Sequence, residues 1–146
     1  MTNLRRSRGY GFETWLVQKF QESGWDARRL GGASTGLPDV VAVNNRTGDL
    51  YAIEAKSLRG KSVTIPIDEI NRCRDIGHLF FYYNSKIVIA TRLGENRKPV
   101  YNYWYVYNEQ GLTKVRAHMD YLEVQYEGEP MKVEDRVTMP WETNKS

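Results

Sequence analysis

Charged residues inside what reads as a buried hairpin constrain this chain more than any other feature. The stretch STGLPDVVAVNNRTGDLYAIEAKS, Ser34 to Ser57, holds two apolar runs, Val40 to Val43 and Leu50 to Ala55. NNRTGD between them is rich in turn formers, so the runs are predicted to pair as an antiparallel β-hairpin. Yet Asp39 opens the first run, and Glu54 and Lys56 lie in the second. An ionised side chain buried alone is costly, so such groups are normally paired, metal-bound or neutralised. Residues two apart on a strand share a face, which puts Glu54 and Lys56 together and turns Ile53 and Ala55 to a core on the other side. The connection is short enough to bring Asp39 beside Glu54. Carboxylates that close repel unless a cation sits between them, and hard oxygen ligands suit Mg²⁺ or Mn²⁺. Lys56 adds an amine able to position an attacking water or to steady charge developing on a phosphate.

A third carboxylate comes from the N-terminal segment. From about Tyr10 to Ser23 the pattern is helical, with Phe12, Leu16, Val17 and Phe20 on one stripe and Gly24 as a stop. Glu13 falls inside that stripe, so it is predicted to face the sheet. RRSRGYG, Arg5 to Gly11, reads as a mobile basic arm. Each residue also has an ordinary reading. Asp39 is a turn cap after Pro38, Glu54 and Lys56 are the solvated face of an edge strand, and Glu13 is a first-turn glutamate favoured by the helix dipole. Their joint ordering favours a site.

Further along, WDARRLGG suggests a short strand and a glycine-rich turn. Val63 and Ile65 alternate, and Pro66 suits the first turn of a second helix carrying Ile67, Ile70, Cys73 and Ile76 and ending near Gly77. Phe80 to Tyr83 and Ile87 to Ala90 read as strands. VYNYWYVYNEQGLTKVRA reads as a hairpin turning at Glu109–Gly111, with Tyr101, Tyr103, Tyr105 and Tyr107 on one face, most simply a core face. From Met119 the order signal fades.

In 146 residues, 40% apolar, the chain fits one domain with a proper core. It has no run able to cross a bilayer and no secretory signal, so an intracellular, cytoplasmic and nucleoid-associated protein with no membrane partner is expected. One cysteine, Cys73, excludes an internal disulfide framework. The net charge of +3 is uneven: +4 over residues 1–61, +3 over 62–119 and −4 over 120–146. A basic body with an acidic tail suits nucleic acid, or simply a solubilising surface.

Pro38-Asp39 followed by Glu54-Ala55-Lys56 resembles the PD-(D/E)xK nuclease motif. With Glu13 on the first helix, an arginine-rich arm before it and Ser34 five residues ahead of Asp39, the chain is similar to the archaeal Holliday junction resolvases. The likeness spans roughly Arg5 to Cys73 and loosens afterwards. It implies an α/β fold with a restriction-endonuclease-like core, a central mixed β-sheet flanked by helices. It implies a nuclease domain over 1–126, with the basic arm at 1–9. Residues 127–146 form an acidic tail that could dock a replication or repair protein. Asp39, Glu54 and the Ala55 carbonyl would bind the metal directly, with Glu13 as an outer carboxylate and Lys56 as the catalytic lysine. Ser34 would sit on a mobile loop that assists cleavage. Arg5, Arg6 and Arg8 would grip phosphates, with Arg28, Arg29, Arg59 and Lys61 as further DNA-binding candidates. The expected activity is metal-dependent endonucleolytic cleavage of four-way DNA junctions by paired symmetric nicks, in recombination and repair, by a homodimer. A related nuclease on another branched or duplex DNA, and a DNA-binding module without catalysis, are the competing readings.

Overall fold

Apolar residues at helical spacing wind Leu4–Glu22 into helix α1, and Gly24, at φ 86°, stops it. The computed structural model describes residues 4–95, 97–107 and 111–142, without the side chains of residues 4–10 and 33. The backbone from Leu4 belongs to α1, so the expected mobile arm is instead the helix's first turns. Arginine and leucine are good helix formers, and no proline interrupts them. The side chains of Arg5, Arg6 and Arg8 lie outside the described residues.

Strands β1 (Asp26–Arg29), β2 (Val40–Asn44), β3 (Asp49–Leu58), β5 (Asn84–Leu93) and β6 (Val100–Val106) form one mixed sheet in the order β1-β2-β3-β5-β6. The predicted hairpin is β2–β3, with Val40 opposite Ile53. β3 and β5 run parallel, joined by a crossover through β4 (Ser62–Ile65) and helix α2 (Ile67–Leu79). Helix α1 covers one face. There Phe12, Leu16 and Phe20 pack on Val40, Ala42, Ile53, Val88 and Ala90. The other face is covered twice, by Cys73 and Ile76 of α2 over Leu50 and Ala52, and by a second sheet. That sheet runs β4-β7-β8-β9, with β7 at Lys114–His118, β8 at Leu122–Gln125 and β9 at Met131–Val133. Val115, Ala117, Leu122 and Val124 from it bury Ile89 and Trp104.

Three expectations change. Val100 to Ala117 is not a hairpin: β6 pairs with β5, whereas β7 crosses to the second sheet and pairs with β4 and β8. Residues 108–110 of the expected turn lie outside the described residues. The tyrosine stripe is a core face only in its middle: Tyr103 and Tyr105 pack beneath α1, whereas Tyr101 and Tyr107 at its ends are exposed. Phe80 to Tyr83 is not a strand, because α2 runs past Gly77 to Leu79 and a turn with Tyr83 N–H bonded to the Phe80 carbonyl then leads into β5. The C-terminal segment does not lose order at Met119. It forms β8 and β9, then Val137 donates to the Tyr103 carbonyl at 2.7 Å, Met139 is fully buried and Trp141 meets Phe20 edge-on. Three separated apolar side chains among acidic neighbours carry no periodicity, which is why this segment reads as a tail.

The burial of Met139 makes a direct prediction. Met139→Ala should cost roughly 2–5 kcal/mol in urea-denaturation stability, the range for truncating a core side chain. A loss within the ~0.5 kcal/mol typical of surface changes would show that the segment does not hold the core.

Candidate active site

Asp39 stands at the entrance to β2, where Leu30 N–H bonds to its carbonyl and ties it to the end of β1. Its side chain turns across the sheet's end, and Oδ2 accepts the Ala55 backbone N–H at 2.9 Å. That bond fixes the carboxyl at the boundary between the two faces of the sheet. Glu13 approaches from the α1 side and Glu54 from the α2 side, and the Asp39 carboxyl is within hydrogen-bonding reach of both. Glu13, predicted to face the sheet from its place in the helical stripe, is 9% exposed and is held by Arg29 at 3.6 Å. Among the described residues, no three acidic, histidine or cysteine side chains are arranged so that together they could hold a metal ion. Glu13 and Glu54 each meet Asp39, from opposite faces of the sheet.

The electrostatic consequence is large. Burial, then the neighbouring Asp39 and Glu69 charges, push the Glu54 carboxyl up to about 10, against a smaller opposing effect of Lys56. Burial and Asp39 raise Glu13 to about 7, with Arg29 opposing. On burial the structure removes the ordinary reading of Glu54 as a solvated edge-strand residue. Glu54 is not on a solvated face but lies under α2, 1% exposed, because both faces of the sheet are covered. A carboxylate so placed is stable only with a compensating cation. In its chemistry, a pair of crowded carboxyl groups, this donor set suits a hard divalent ion.

Lys56 lies on the Glu54 side of β3, as the strand period requires. Its ammonium is bound by Glu69 of α2, at 2.8 and 2.7 Å from the two carboxylate oxygens. Sequence reasoning missed Glu69, which reads as one of two ordinary first-turn acids beside Asp68. It also missed how tightly the glycines before Asp39 are packed. Gly32 has φ 56°, and a Cβ there would overlap Asp39 Oδ1, so glycine at this position is a steric requirement of the carboxyl's place. Arg92 of β5 is a third omission. It bonds Ser57 Oγ at 2.8 Å and lies over the Phe12 ring, placing a cation one register step beyond Lys56.

The structure does not bring Ser34 to the carboxyls. Its hydroxyl is exposed in a short 3₁₀ turn, Gly32–Ser34, and donates to the Gly31 carbonyl at 3.0 Å. Arg28, Arg59 and Lys61 are exposed, and Arg28 donates to the Ala27 carbonyl. A groove of about 710 Å³ lies at the opposite end of the sheet, between the end of α2, the start of β5 and the end of β6, and none of Glu13, Asp39, Glu54 or Lys56 lines it.

A family model described as archaeal Holliday junction resolvase (hjc) matches residues 4–143. The solved structure of Hjc from Archaeoglobus fulgidus, a Holliday junction resolvase from an archaeal hyperthermophile, superposes with a TM-score of 0.57 at 24% identity. The match covers 75% of this chain and 83% of that one, and it shows the shared fold. Among curated proteins no match reaches significance.

The carboxyl cluster has a signature in stability. With the Glu54 carboxyl raised from 4.5 to about 10 in the folded state, the fold favours its protonated form. The stability this gives is complete below 4.5 and is lost as pH rises towards 10. In chelator, the melting temperature of the wild type should therefore fall across that window. Glu54→Gln should flatten the fall and melt higher at its alkaline end. Parallel melting curves for the two proteins would contradict the crowded-carboxyl geometry.

Proposed function

Because this chain belongs to the archaeal Holliday junction resolvase family, we propose that Glu13, Asp39, Glu54 and Lys56 form its phosphodiester-cleaving centre. The protein is a Holliday junction resolvase, an endonuclease that hydrolyses phosphodiester bonds of DNA in recombination and repair. Like its family it depends on a metal, acts on branched DNA and forms dimers. The observation that carries the assignment of the centre is the meeting of carboxyls from α1, the β2 entrance and β3 at Asp39.

Asp39, Glu54 and the Ala55 carbonyl are the groups that would hold the ion, Mg²⁺ with Mn²⁺ as a substitute, and Glu13 would act from outside through water. When bound, such an ion supplies an acidified water and screens charge at the phosphate. The protein's own groups do the rest. The Ala55 N–H orients Asp39, and Arg29 orients Glu13. Lys56 assists the attacking water and the developing negative charge. Ser34, on an exposed turn away from the carboxyls, would contact the cut strand. Arg5, Arg6 and Arg8, with Arg28, Arg29, Arg59 and Lys61, supply phosphate contacts that set affinity rather than chemistry.

Two centres cutting symmetrically across a four-way junction require a two-fold dimer. The face best suited to the second copy is the end of α2, where Leu79 is 76%, Phe81 85% and Tyr82 94% exposed. Such a run of bare apolar surface fits an interface better than water. No helix of the described residues is long and apolar enough to cross a membrane, and the place of action we assign is the nucleoid. A partner from replication or repair would meet the exposed Glu127, Glu129, Glu134 and Asp135 around the C-terminal segment.

Asp39→Ala should abolish cleavage of a synthetic four-way junction in Mg²⁺ while leaving gel-shift affinity nearly intact, since phosphate contacts dominate binding. Cleavage by Asp39→Ala at the wild-type rate would remove this centre from consideration. Phe81→Glu should yield a monomer by light scattering and uncouple the paired nicks. A dimer that survives the substitution would place the interface elsewhere.

A further inference from the structure

Glu69 is the fourth carboxylate near the centre, and it is the one that holds the amine. Both of its oxygens lie within 2.8 Å of Lys56 Nζ. The pair is largely enclosed, with side chains 16% and 23% exposed, so it differs from the surface ion pairs that contribute little. Its geometry is set by the backbone. Pro66 starts α2, and the Glu69 N–H donates to the Pro66 carbonyl at 3.1 Å, which fixes the first turn against β3.

The placement matters because of what else the ammonium could reach. Glu54 projects from the same strand face two residues away, and Asp39 touches Glu54. Lys56 has a flexible four-carbon stem. Without Glu69 its nearest opposite charges would be the two carboxylates that a divalent ion needs. An ammonium resting there would compete with that ion and leave the lysine in the wrong place for hydrolysis. The alternative is a plain strut between α2 and β3 with no bearing on the chemistry.

We propose that Glu69 is a positioning residue: it holds the Lys56 amine away from Asp39 and Glu54, which leaves those oxygens to the divalent ion and the amine to the reaction. This rests on the assignment of the cleavage centre given above. It concerns a residue that does not touch the phosphate and acts through Lys56.

Two measurements test it: steady-state cleavage of a labelled four-way junction in Mg²⁺, and calorimetric titration of the DNA-free protein with Mn²⁺. Glu69→Ala should lower kcat by about 10–100-fold, the cost usually seen when the partner of a catalytic or ligating side chain is removed, with KM unchanged. The same variant should bind Mn²⁺ about tenfold more weakly, and adding Lys56→Ala to it should restore affinity to within about twofold of wild type, as coupled neighbours do. Glu69→Gln keeps one oxygen acceptor and should recover part of both losses. If Glu69→Ala melts too low to assay, Glu69→Gln against wild type decides by the same two readings. Wild-type kcat and Mn²⁺ affinity in the Glu69 variants would overturn the proposal. So would weak Mn²⁺ binding that Lys56→Ala fails to restore, because that result means a distorted site. Asp39→Ala runs alongside as the control. Should it cleave like wild type, the assignment of the centre falls, whereas a dead Asp39→Ala beside a fully active Glu69→Ala removes Glu69 alone.

Discussion

The Asp39 carboxyl is the point on which the rest of the molecule turns. One backbone N–H holds it, and two further carboxyls press on it from opposite faces of the sheet. In a solvated setting three such groups would spread apart. Here α1 carries Glu13 in on one side, the cover of α2 confines Glu54 on the other, and the Gly31–Gly32 turn closes over the top with no room for a β-carbon at Gly32. The fold's packing energy is what sustains this crowding, and a divalent cation is the group that relieves it. Structure and chemistry thus share one requirement, a sheet end whose packing holds the carboxyls in place.

That packing comes from covering the sheet twice. Helix α1 alone would leave Glu54 and Lys56 facing solvent, where a carboxylate and an amine two residues apart are unremarkable. The crossover from β3 to β5 passes through β4 and α2, and in doing so lays both a helix and a second sheet against the same face. Glu69 enters with that crossover, so the element that buries the site also supplies the partner of its lysine.

The sequence made the centre legible and the architecture around it only partly so. Hairpin register follows from two apolar runs and a turn, and the inward placement of Glu13 follows from a helical period; both are local signals. The second sheet had no such signal. It depends on Ser62 meeting His118, partners far apart in the chain, and β7 looks locally like the return strand of a hairpin from β6. Phe80 to Tyr83 misled for a different reason. Apolar runs read as buried strands, yet Phe81 and Tyr82 stand exposed on the turn after α2, and no local signal separates an apolar run on the surface from one in the core. Glu69 was hidden by its own position, since an acid in the first turn of a helix always has the helix dipole as an explanation.

The strap formed by Val137, Met139 and Trp141 has a temporal implication. It slots between Tyr103 and α1, the helix that delivers Glu13. During synthesis, residues from Glu13 to Lys56 emerge long before the strap does. A nascent chain would therefore hold Glu13, Asp39, Glu54 and Lys56 without a closed core to press them together. The order of synthesis thus puts closure of the core around α1 after every one of those residues has been made.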